Sequence, residues 1–261
     1  MLRLISRYRR AFFGAVALCL VVALASQRGA AQSANATPLL NQLSAAFSGG
    51  QAIQQIQLAG NATLYAGSLE DSGTVTLSAS TNGSSEMQMR LMTAGSKTES
   101  QSGIGTSASC QWSGADGVIH RSVLENCARP LLWFLPAISL QPPLIMSGVT
   151  AADLGSEPVG NGTTNLRHLR TQLSFSGPPP SEITSLTEFS SEDLGLDPTT
   201  LLPSVLSFIV QPDVNIPSHV SIEIHYSQYQ NVNGVQIPFH IQRFVNGSLQ
   251  LDVLVNSVHI N

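Results

Sequence analysis

Histidine, serine and cysteine are the residues of this chain whose spacing would mark a metal, nucleophilic or redox site, and that spacing decides which chemistry is open to them. The six histidines, His120, His168, His219, His225, His240 and His259, include no H-E-x-x-H pair and no neighbouring cysteine cluster, so no zinc ligand set is formed. His225 and His240 fall diagonally on the polar face of neighbouring strands, with Glu223 nearby. Without a third designed ligand, such a pair reads as solvent-facing polarity on a half-buried sheet. Serines are numerous, yet no G-x-S-x-G elbow presents one as a nucleophile with a matched base, and hydrolysis ranks last among the readings. Ser102-Gly103-Ile104-Gly105 lacks both the strand-then-helix context and the third glycine of a phosphate-binding loop. No catalytic residue, metal site or cofactor is expected from these patterns.

The cysteines point to a compartment. Cys19 lies inside an apolar leader, which leaves Cys110 and Cys127, an even pair with 16 residues between them. In an oxidising compartment that spacing predicts a structural disulfide, worth roughly 3 kcal/mol by loop closure, and not the C-x-x-C of a redox site. The leader itself has the three parts of a secretory signal: basic Met1 to Arg10, a 15-residue apolar run from Ala11 to Ala25, and small Gly29-Ala30-Ala31 before Gln32. Residues 1–31 are therefore expected to be cleaved, with Ala25 as the second choice of boundary. An apolar run of that length is short for a retained transmembrane anchor, which takes about 20 residues. Export places the mature chain, 32–261, in the periplasm or outside the cell.

Charge sharpens this division. Net charge is −4, but all five basic residues of the leader, Arg3, Arg7, Arg9, Arg10 and Arg28, are unopposed by any acid there. The remainder holds seven basic groups against 16 acidic ones, a net of −9 with Lys97 its one lysine. Six scattered arginines cannot make the clustered phosphate contacts of a nucleic-acid binder, so that class is excluded. The hydrophobic content of 43% with 11% charged residues fits a single folded domain.

The elements that must position any site are mostly strands. Gln32 to about Thr37 reads as a mobile new N-terminus, after which Leu39, Leu40, Leu43, Ala46 and Phe47 recur at helical spacing and predict a helix from Pro38 to Phe47, closed by Gly49-Gly50. Period-two alternation predicts strands around residues 56–64, 75–79 and 86–91, with turns at Asp71-Ser72-Gly73 and Thr81-Asn82-Gly83. Val123 to Leu140 holds the densest apolar patch, Leu131-Leu132-Trp133-Phe134-Leu135. Pro130 suits the start of a short helix and Pro136 its end or kink, so one or two short helices should cross the sheet. Trp133 and Phe134 serve either as ordinary core or as a helical lid over an apolar cavity. A strand is expected over residues 165–176, followed by a stiff loop at Gly177 to Pro180. Asp197-Pro198 should turn a hairpin whose second arm is Ser204 to Val210. Asn233-Gly234 predicts a two-residue hairpin that sets Tyr226 opposite Ile241 and Ile222 opposite Val245. At Asn246-Gly247 a plain two-residue loop would mix faces, so a three-residue turn setting Ile241 against Leu251 is expected. The five Asn-x-Ser/Thr tripeptides, most of them beside glycine, read as turns before they read as glycan acceptors.

Tyr226-Ser-Gln-Tyr-Gln-Asn-Val-Asn-Gly-Val-Gln-Ile-Pro-Phe-His-Ile241, closing on Asn256-Ser-Val-His-Ile-Asn261, resembles the final strands of the periplasmic lipoprotein-carrier (LolA/LolB-like) superfamily. Leu196-Asp-Pro-Thr-Thr-Leu-Leu-Pro203 is similar to the hairpin that precedes them there. The match is best over residues 194–261, with a looser agreement of strand order from residue 56. The resemblance implies a mainly β domain: a strongly curved antiparallel sheet, or incomplete β-barrel, with short helices on its concave side. In the carriers that concavity holds an acyl chain, although no acyl-contacting position there has a motif to align with this chain. Two functions follow for an exported envelope protein. One is non-catalytic binding of a lipid or acylated partner under Leu131, Leu132, Trp133, Phe134 and Leu135; the other is a structural or protein-interaction module with a filled core.

Overall fold

A computed structural model describes residues 34–103, 105–141, 148–174, 186–212 and 219–261. The leader, its cleavage site and the Gly177 to Pro180 loop lie outside the described residues. Helix α1, Thr37–Ser48, starts with Pro38 in its first turn, where a missing N–H costs nothing, and ends at Gly49 in the left-handed region at φ 59°. It buries Leu39, Leu40, Leu43 and Phe47, the stripe read from the sequence. The segment ahead of it is not the mobile terminus expected: Ala34–Asn35 form β1, paired with Asp153 and Ala152.

Thirteen further strands complete one antiparallel sheet. They are β2 Gln55–Ala66, β3 Leu69–Ser80, β4 Ser85–Leu91, β5 Gly95–Ser102, β6 Ser109–Ser113, β7 Ile119–Arg121, β8 Val149–Pro158, β9 Asn165–Leu173, β10 Glu192–Leu196, β11 Pro203–Val210, β12 Val220–Val232, β13 Val235–Val245 and β14 Ser248–Ile260. Their order in the sheet is β1-β8-β9-β10-β11-β12-β13-β14-β2-β3-β4-β5-β6-β7, so the last strand closes against β2 and joins the two halves of the chain. Short helices α2, Leu124–Cys127, and α3, Pro136–Ser139, interrupt the stretch between β7 and β8.

Curvature follows from contacts across the sheet. Arg243 on β13 donates two hydrogen bonds to Glu99 on β5, at 2.9 and 3.0 Å, although five strand spacings separate them in the sheet order. On a flat sheet those strands would stand roughly 24 Å apart, far beyond the reach of two side chains. The sheet bends around an interior without closing into a barrel. Its buried face carries Leu58, Leu77, Met87, Leu206, Ile224, Ile241 and Val253, which join α1 and residues 131–140 in one core.

Several local expectations are corrected. Asp71-Ser72-Gly73 lies inside β3, and the turn sits earlier, with Gly67 at φ 64°. Glycine is required at 73 for a different reason: a Cβ there would come within 1.9 Å of the Arg90 carbonyl oxygen on β4. Pro136 starts α3 instead of ending a helix, and Pro130 starts none. The Asn233-Gly234 hairpin has the expected register, Tyr226 with Ile241 and Ile222 with Val245. At Asn246-Gly247 the loop has two residues, pairing Val245 with Ser248, and a bulge near Arg243 and Phe244 restores the faces by setting Ile241 against Val253. Apolar pairing is preserved as required, but by an extra residue in β14 and not by a longer turn. The hairpin at Asp197 is present, with the Asp197 carboxylate accepting from the Thr199 and Thr200 amides.

Candidate ligand-binding site

The chain from Ser122 to Gln141 crosses the interior, and the sheet grips it at successive points. Cys127 in α2 is bonded to Cys110 on β6, as the cysteine spacing predicts. Asn126 imitates a strand at the end of β11: its amide donates to the Gln211 carbonyl at 2.7 Å and accepts from the Gln211 N–H at 2.8 Å. The Leu131 amide donates to Glu192 Oε2 at 2.7 Å, and the Leu132 amide to Ser139 Oγ at 3.0 Å. Tyr226 Oη, on β12, donates to the Trp133 carbonyl. These bonds make the segment a pinned wall. A loose lid would leave its amides to water.

Beneath this wall lies a cavity of about 440 Å³, within the range of small-molecule sites. Leu131, Trp133 and Phe134 line it, joined by Phe208, Val210, Val220, Ile222 and Val245 from β11 to β13. The opposite side, from β4 to β6, is mixed: Ser85, Glu99, Ser100, Gln101 and Gln111 stand among Met87, Cys110 and Trp112. Of the five residues singled out in the sequence, three therefore face the cavity. Leu132 and Leu135, 3% and 1% exposed, pack into the core instead. Phe134 is also core on its other side, and half-buried Trp133 meets it edge-on, with ring centroids 5.3 Å apart.

Charge enters this cavity through residues that no local pattern marks. Arg243 is spent on Glu99 and also lies over the Trp133 ring, 5.0 Å from its centroid. Arg129, only 7% exposed, sits 4.1 Å above the Phe208 ring and donates to the carbonyls of Asn126, Phe189 and Ile209. Burial lowers its pKa to about 10, which leaves it charged at neutral pH. Burial pushes Glu192 up to about 8, against the pull of Arg129 and the Leu131 amide, and its Oε1 has no hydrogen-bond partner. A single positive signal was available in sequence: Arg129 is a lone cation directly ahead of an apolar run. Two of its three carbonyl partners are 60 and 80 residues away, so its role was not readable.

The histidines take other duties. His225 bonds Glu223 and packs on Phe244, while His240 turns to Asp252 at 2.7 Å and to Ser227 at 3.3 Å, so the two are not joined in a metal site. Among the described residues no group of three metal-binding side chains converges. Ser227, His240 and Asp252 form a hydrogen-bonded chain of the types used in nucleophilic catalysis, which sequence reading did not foresee. None of the three lines a cavity described above, and Ser227 and His240 are direct cross-strand partners, which accounts for their contact. His168 is held at both ring nitrogens by Glu157 and Asp193. Burial works to lower its pKa, but the two carboxylates together outweigh it and raise it.

No protein-family model matches the sequence, and neither does any curated protein. Solved structures do match the fold. The chain is similar to a putative outer membrane lipoprotein-sorting protein domain from Vibrio parahaemolyticus, with a TM-score of 0.53 and 8% identity over 86% of this chain and 91% of that one. A LolA superfamily protein from Nitrosomonas europaea matches with a TM-score of 0.51 and 11% identity, covering 87% and 93% of the two chains. A DUF1329 family protein from Desulfovibrio piger gives 0.53 and 10%, covering 86% and 91%. The fold is LolA-like, as the C-terminal residues suggested.

Proposed function

We propose that this is an exported envelope protein that binds the apolar chain of a lipid or acylated partner, without catalysis, in the cavity walled by Leu131, Trp133 and Phe134. The observation that carries the reading is the cavity itself, apolar on the side of β11 to β13 and roofed by a segment pinned to the sheet. Burying acyl methylenes there contributes ~0.8 kcal/mol each, a driving force that needs no covalent step. Residues 1–31 act as the cleaved leader, the disulfide suits the oxidising compartment it leads to, and 32–261 is the mature domain. The lipoprotein-sorting description of a structural neighbour is consistent with such a cargo. No described helix is long and apolar enough to cross a membrane.

Native mass spectrometry of the protein purified from its own host tests this. Acyl-lipid adducts that disappear in a folded Trp133→Ala variant are expected. A ligand-free protein that also takes up no alkyl probe would refute it. A protein-interaction module is the second reading, supported by Val118 and Ile119, 51% and 62% exposed at the start of the outermost strand β7. A ligand-free result with capture of a partner through that edge would favour it.

A further inference from the structure

We infer that the ligand of this cavity is an amphiphile with an anionic head group, carboxylate or phosphate, which Arg129 holds. The inference rests on the binding role proposed above and names the class of molecule bound. Three charged residues line the cavity, Glu99, Arg129 and Arg243. Arg243 and Glu99 neutralise one another through a two-pronged contact, and Gln250 Oε1 accepts a further bond from Arg243 Nε at 2.8 Å. Arg129 remains. No carboxylate stands within ion-pair distance of it among the described residues, so no side chain pairs its charge directly, inside a mature chain whose net charge is −9.

Arg129 as a residue is more than nine-tenths buried, and a buried cation is costly unless an anion answers it. Its own acceptors are three backbone carbonyls, one of them a long contact of 3.4 Å to Phe189, for a group with five N–H donors. Glu192 is the acid that interacts with it, but it makes no ion pair with it and its Oε2 is taken by the Leu131 amide. A planar fork with spare donors, set beside an apolar wall, is the arrangement that binds a carboxylate or phosphate while the attached chain lies on Leu131, Trp133 and Val210. The cavity thus offers a cation and apolar surface together, as an amphiphile requires.

Isothermal titration of the oxidised mature protein at pH 7.0, with dodecanoate, dodecyl phosphate and dodecanol below their aggregation limits, tests the assignment. At least one anionic probe should bind about tenfold or more tightly than dodecanol, the worth of one charge-assisted contact. Which anion is preferred separates an acid from a phosphate head group. The preference should vanish in Arg129→Gln and persist in part in Arg129→Lys. Equal affinity for all three probes in the wild type overturns the head-group assignment while leaving the acyl cavity standing, and it needs no variant to fold. Retention of the preference by Arg129→Gln overturns the role of Arg129. Failure of every probe to bind refutes the cavity reading and this inference with it.

Discussion

Glu192 gives the most direct test of how the interior is held. Its carboxyl is buried on β10, accepts the Leu131 amide, and has its pKa pushed from 4.5 to about 8 by desolvation. An acid whose pKa is raised on folding binds its proton more tightly in the native state. The stability tied to it is fully present below the unfolded pKa and is lost as pH rises through the folded one. Between the two, each pH unit removes about 1.4 kcal/mol, so moving from pH 5.5 to 7.5 should cost the wild type about 3 kcal/mol. His168 has a raised pKa as well and contributes a loss of the same sign over part of this window, whereas Asp193, with its lowered pKa, loses its contribution only at more acid pH. Glu192→Gln isolates the carboxyl. Urea unfolding of both proteins at the two pH values should show the wild type losing about 3 kcal/mol more than the variant over this interval. At pH 5.5 the two should be closely matched, because the neutral acid's O–H and the amide N–H₂ both lack a partner at the position of Oε1. Parallel pH profiles for the two proteins would refute the argument that burial holds the proton on Glu192.

Removing the cross-link with Cys110→Ser and Cys127→Ser should lower stability by roughly 3 kcal/mol, read as a shift of the urea midpoint that reductant reproduces in the wild type. Phe134→Ala should cost about 3–5 kcal/mol in the same assay, since its ring is 1% exposed in the core. Trp133→Ala should cost less, because the ring is half-buried, and show its main effect as weakened dodecanol binding by calorimetry. Gly73→Ala should destabilise by about 1–3 kcal/mol, visible as a lower thermal midpoint, because its Cβ would collide with the Arg90 carbonyl and only a backbone shift on β3 or β4 can relieve it.

The features readable in the chain were those with a local cause. The α1 stripe, the Asn233-Gly234 register and the Asp197 hairpin each depend on residues a few positions apart, and each stands where the pattern put it. Where a cue had a competing use, it misled: Asp71-Ser72-Gly73 has turn composition, but its glycine serves a close strand contact and its aspartate accepts the Thr93 and Ala94 amides. Strands β5 and β6 gave no alternation to read, because Gly95–Ser102 and Ser109–Ser113 are largely polar where they border the cavity and the sheet edge.

By itself, the sequence determined the cysteine pair, the acidic balance of everything after residue 31, and the meander whose residues resemble the carrier strands, because composition and short spacing carry that information directly. It also marked the apolar segment at 131–135, without separating the residues that face a cavity from those that fill the core. Only the tertiary structure decided that division, along with the charge placed beside it. The contacts responsible, Leu131 to Glu192, Trp133 to Tyr226 and Glu99 to Arg243, join residues 61 to 144 positions apart, and they come within reach only once the sheet has curved.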